Sequence, residues 1–96
     1  MLVEIPYDKA LEVIESFAPG TERGNWTSAV KRLQAVAEEN RLEAIRPACA
    51  LATVWRRDVK EPGFILPPEE LVVLVEYLIG EPVWAKRYKR FYDLED

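Results

Sequence analysis

Residues 47–55 read PACALATVW and run straight into the pair Arg56-Arg57. Wound as an α-helix, this stretch sets Ala48, Leu51, Ala52 and Trp55 on one side and spreads Cys49, Ala50 and Val54 round most of the rest. Only Thr53, Arg56 and Arg57 look outward. A helix that is apolar nearly all round has to be wrapped by other elements. The stretch therefore predicts the central post of an all-α domain: a small five- or six-helix bundle built around a helix at about 47–57, with residues 1–96 forming one helical domain.

Outward from that post, helical spacing recurs on both sides. Tyr7, Ala10, Leu11, Ile14, Phe17 and Ala18 form one stripe, with Asp8, Glu12 and Glu15 facing away, and Pro19-Gly20 stops it. After a loop at 21–24, Asn25 is placed as the N-cap of a second helix striped by Trp26, Ala29, Val30, Leu33, Val36 and Ala37. Asn40 is expected to end that helix in a left-handed turn. Pro47 lacks a backbone donor, so the reading breaks the chain there into a short helix at 41–46 and the central helix. Residues 58–67 read as a surface loop whose Phe64, Ile65 and Leu66 tuck back into the core. Pro68 suits a first helical position, Glu69 and Glu70 suit the first turn, and Leu71, Leu74, Val75 and Leu78 give an inner face closed by Gly80. Pro82 then opens a last helix to about residue 92, with Trp84, Tyr88 and Phe91 on one side and Lys86, Lys89 and Arg90 on the other.

The residue inventory closes many chemistries. There is no histidine, which removes Ser-His and Cys-His nucleophile pairs, the commonest general base, and zinc sites that need imidazole. One cysteine can form neither an internal disulfide nor a cysteine-rich metal site. The four glycines match neither the phosphate-binding loop nor the dinucleotide pattern. Carboxylates cluster at Glu12 with Glu15, at Glu38 and Glu39 with Glu43, and at Glu69 with Glu70, but the periodicity sets most of them on solvated faces. Cys49 falls within an apolar helix and reads as a buried, inert thiol. The expectation is a protein that is not an enzyme and takes no cofactor and no metal.

The chain opens MLVEIP, without the basic start and long apolar core of a secretion signal, and no apolar run approaches the length of a membrane span. With a single thiol, the expected setting is the cytoplasm, with no membrane. Asn25-Trp26-Thr27 fits a glycosylation acceptor only by chance in that setting. The formal net charge is -4, and it alternates in blocks: -3 over residues 1–40, +3 over 41–60, -5 over 61–85, +4 over 86–92 and -3 over the last four. Alternating blocks suit a protein partner, or self-association into a homo-oligomer, better than a polyanion, whose binding rests on a broadly basic surface.

Two groups of cations are the candidate binding residues. Arg56, Arg57 and Lys60 follow the central helix, where cations also complement the helix dipole. Lys86, Lys89 and Arg90 stand on the outer face of the last helix, in WAKRYKRFY. No family is identified from the chain as a whole. Residues 37–45, AEENRLEAI, resemble the turn between helices of small death-like adaptor domains in bacterial defence proteins; the likeness implies a helical adaptor and assigns no site residue. The functional expectation is a non-enzymatic protein–protein interaction domain, as a small adaptor, an inhibitor or a subunit of a complex. The alternative is a helical subunit that contacts RNA or DNA backbone through the same six cations within a larger complex.

Overall fold

A computed structural model describes residues 5–58 and 63–80. All regular structure among them is helical: α1 (Tyr7–Phe17), a single 3-10 turn at Thr21–Arg23, α2 (Trp26–Glu39), α3 (Arg41–Asp58) and α4 (Glu69–Ile79). The fold class is thus the expected one, but the described residues hold four α-helices, not five or six. One of the expected extra helices disappears into α3, and the expected last helix at 82–92 lies outside the described residues.

Helix α3 is the post. Ala44, Pro47, Ala48, Cys49, Ala50, Leu51, Ala52, Val54 and Trp55 are all buried along it, and it packs against α1, α2 and α4, while α4 also packs against α2. Alanines at 44, 48 and 52 repeat at one-turn spacing, so a neighbouring backbone can approach closely on that side while Leu51 and Trp55 fill the wider gaps.

Pro47 does not break the chain. It lies inside α3, buried, six residues after the helix begins. An interior proline forfeits the bond to the carbonyl four residues back and strains the turn, at about 3 kcal/mol. Here the lost partner is the carbonyl of Glu43, an exposed residue. Burial of Leu51, Val54 and Trp55 with the small residues around them outweighs that penalty, since each fully buried large apolar side chain contributes about 1.5–3 kcal/mol.

The helix ends show where local rules were and were not followed. Asn25 occupies the N-cap position of α2, yet its side chain makes no cap bond. The entry to α2 is set instead by the Gly20–Gly24 turn, with both glycines at positive φ (92° and 96°), and by buried Thr21, whose Oγ1 donates to the Ala18 carbonyl at 2.7 Å. Asn40 is extended (φ -157°, ψ 102°) and not left-handed. Its Oδ1 accepts from the Leu42 amide at 3.1 Å, so it caps the start of α3 as it ends α2, a short-side-chain bond typical of asparagine at a helix entry.

The 63–68 segment is only partly tucked in. Phe64 packs edge-on against Trp26 (centroids 5.9 Å, 77°), but the Ile65 side chain is 58 % exposed. What Ile65 contributes inward is its carbonyl, which accepts from Trp26 Nε1 at 3.1 Å. Pro68 precedes α4 as its cap residue and its carbonyl accepts from the amides of Leu71 and Val72. Gly80 closes α4 at φ 70°.

Candidate functional site

Of the six candidate cations, Arg56 and Arg57 fall among the described residues; Lys60, Lys86, Lys89 and Arg90 lie outside them. Arg57 is exposed and holds its guanidinium over the Tyr7 ring, 3.9 Å from the centroid. Tyr7 Oη in turn donates to Asp58 Oδ2 at 2.7 Å. Arg57, Tyr7 and Asp58 thereby clasp the end of α3 to the start of α1. A stacked arginine with a carboxylate beside it serves as a structural tie and makes a poor phosphate receptor. Arg56 is half-buried.

The surface that the inventory of cations passed over lies between α2 and α4. Helix α4 buries Leu71, Val72, Val75, Leu78 and Ile79, yet Val73 and Tyr77, one turn apart on its other side, remain 54 % and 66 % exposed. Together with half-buried Leu74, Gln34 of α2, and Glu69 and Glu70, they line a groove of about 550 Å³. The sequence signal was present in LVVLVEYLI, which is apolar on more sides than one packing face needs. Glu69 and Glu70 give the groove an acidic end, and both are placed in the first turn of α4, where the helix dipole favours carboxylates.

The far end of the groove is fixed by Arg41. Its guanidinium sits 4.9 Å from the Tyr77 ring centroid, and Nη2 donates to the Tyr77 carbonyl at 3.2 Å. That carbonyl is one of the last four of α4, which lack helical partners. Arg41 therefore orients Tyr77 and caps α4 in one contact. The next residue, Leu42, is 78 % exposed and borders a separate hollow with Ile5, Ile45 and Cys49.

Two further hollows carry less. Glu12, Val13, Phe17, Arg32, Glu43 and Arg46 border a mixed-charge cleft of about 510 Å³, in which Arg32 lies over Phe17 at 5.9 Å. Cys49, buried as expected, forms part of the wall of an apolar hollow of about 310 Å³ with Ile5, Leu42, Ile45 and Arg46. The carboxylates at 12, 15, 38, 39, 43, 69 and 70 are all exposed, and among the described residues no group of three or more acidic or cysteine side chains is placed to hold a metal ion. No helix of the described residues is long and apolar enough to cross a membrane. The chain matches no family model, no curated protein and no solved structure.

Proposed function

We propose that this chain is a non-enzymatic, cytoplasmic protein-interaction domain, an adaptor or small subunit, whose receiving surface is the α2–α4 groove. The observation that carries the reading is the pair Val73 and Tyr77, large apolar side chains left in solvent on an otherwise well-buried helix and flanked by an acidic end. An occupant that fits is an amphipathic helix with aliphatic or aromatic anchors at i, i+3, i+4 and i+7 and cations beside them, because such a helix fills an apolar groove and meets Glu69 and Glu70 with opposite charge. Tyr77, already steadied by Arg41, has the residue type and preorganisation of a binding anchor.

The nucleic-acid alternative draws less support from the same surface, since a groove bordered by Glu69 and Glu70 repels phosphate. The test is a titration of the isotopically labelled full chain with a lysine-rich amphipathic helical peptide carrying leucine anchors. Shifts centred on Val73, Leu74 and Tyr77, abolished when glutamate replaces the peptide's lysines, are the expected result. Shifts scattered over the surface, or none at millimolar peptide, overturn the reading.

A further inference from the structure

The face that α4 leaves in solvent has the makings of its own complement. Glu70, Val73, Leu74 and Tyr77 stand at i, i+3, i+4 and i+7 along α4, which is the anchor spacing that the groove itself receives. The two ends of this face carry opposite charge: Glu69 and Glu70 mark the start of α4, and Arg41 stands over Tyr77 at the other end. Arg41 uses one Nη2 bond on the Tyr77 carbonyl, and a guanidinium has five N–H donors in a fork that suits carboxylates. Among the described residues neither Arg41 nor Glu69 nor Glu70 takes part in an ion pair, although Glu38, Glu39 and Glu43 lie near Arg41 in sequence. The seven residues from Glu70 to Tyr77 span about 10 Å of helix axis, so the acidic and basic ends cannot satisfy each other within one chain.

We propose that the occupant of the α2–α4 groove is a second copy of this chain, the two α4 helices packing antiparallel about a twofold axis between Val73 and Leu74. That register sets Val73 of each copy opposite Leu74 of the other. It also brings Glu70 of each copy level with Tyr77 of the other, and so beside Arg41. Both ends of the contact then join acid to base. Parallel pairing stacks like charge on like, so charge selects the antiparallel arrangement, which also opposes the two helix dipoles. A twofold interface asks for one self-complementary patch, and an apolar centre between ends of opposite charge is such a patch. The inference rests on the docking reading and names its partner, in that an outside helix must compete with the second copy. With only Val73 and Tyr77 as large exposed anchors on α4, the contact belongs with small, transient interfaces, and the dimer is a weak one.

The experiment is sedimentation equilibrium of the full chain at concentrations up to about 1 mM, where even a weak dimer is populated. The expected result is a reversible monomer–dimer equilibrium that weakens as salt screens the charged ends. Arg41→Glu meets like charge at both ends of the twofold contact and should weaken the dimer by about tenfold or more. Glu69→Arg/Glu70→Arg should do the same, and so should Val73→Ser/Tyr77→Ala. The combined variant Arg41→Glu/Glu69→Arg/Glu70→Arg should recover most of the lost affinity, because antiparallel pairing again sets acid against base. An equimolar mixture of the two charge-reversed variants, each first shown to be folded by circular dichroism, should likewise form a dimer that neither forms alone. A chain that stays monomeric to about 1 mM overturns the proposal, as does a dimer indifferent to these substitutions, which assigns self-association to another surface. A folded combined variant that recovers nothing overturns it too. In any of these cases, shifts from the lysine-rich peptide at Val73, Leu74 and Tyr77 leave the docking function standing. Dimerisation that follows the charge reversals, with no peptide bound at dilute protein, supports the self-pairing and removes docking of an outside helix alone.

Discussion

Tyr7 and Arg57 stack ring to guanidinium at 3.9 Å, fifty residues apart in sequence, and the same tyrosine hydroxyl bonds Asp58. Together the two contacts tie the start of α1 to the end of α3. Tyr7→Phe keeps the stack and deletes the hydroxyl, so it should lower stability by about 1 kcal/mol, the net worth of a partly exposed hydrogen bond. Arg57→Lys keeps the charge and loses the planar stack, for a loss of about 0.5–1 kcal/mol. Urea unfolding should show a lower midpoint with an unchanged slope for both.

Pro47 offers a test of tertiary burial against local propensity. Pro47→Ala regains up to about 3 kcal/mol of helix preference, but gives back roughly 1.5 kcal/mol of ring burial and up to about 1 kcal/mol from a looser unfolded chain. The expected net change is therefore within about 1 kcal/mol of zero. The new amide at position 47 should exchange as slowly as its α3 neighbours. Fast exchange there would show that the chain is broken at 47 after all.

These competing terms explain which features were readable beforehand. The enclosed character of α3 was legible because Ala48, Leu51, Ala52 and Trp55 have apolar neighbours on every side, which no surface helix tolerates. The break at Pro47 was a local rule applied without the weight of the burial around it. Asparagine tolerates left-handed backbone, which favours a turn at Asn40, but its side chain is claimed by the amide of Leu42 and the residue stays extended. Asn25 sits at the right position, but the Gly20–Gly24 turn organises the helix entry without it. Apolar spacing along α4 marks an inner face and does not by itself fix the groove; only the packing of α2 beside it shows that Val73 and Tyr77 have no cover among the described residues.

Thr21 sits fully buried in the turn between α1 and α2 with its hydroxyl committed to the Ala18 carbonyl. Thr21→Val is nearly isosteric and removes the hydroxyl donor, leaving the Ala18 carbonyl the longer 3.3 Å bond from the amide of residue 21, so the expected loss is about 0.5–1.5 kcal/mol. Thr21→Ser keeps the bond and should lose less. The ordering of the two in thermal unfolding, with valine the lower, checks that the bond and not the methyl group holds the turn.

Leu51 and Tyr77 should separate stability from function. Leu51 is fully enclosed at the middle of the post, so Leu51→Ala leaves a cavity and should lower stability by about 2–5 kcal/mol. Tyr77 is two-thirds in solvent, and Tyr77→Ala should change unfolding by no more than about 1 kcal/mol, the share held by its contact with Arg41. The order should reverse for the groove. Measured against the lysine-rich peptide at a temperature where both variants remain folded, Tyr77→Ala should weaken binding by about tenfold or more, the effect of losing a central aromatic anchor, whereas Leu51→Ala should bind as the wild type does. A Tyr77→Ala variant that keeps full affinity would mean that the exposed face of α4 is not where a partner is held.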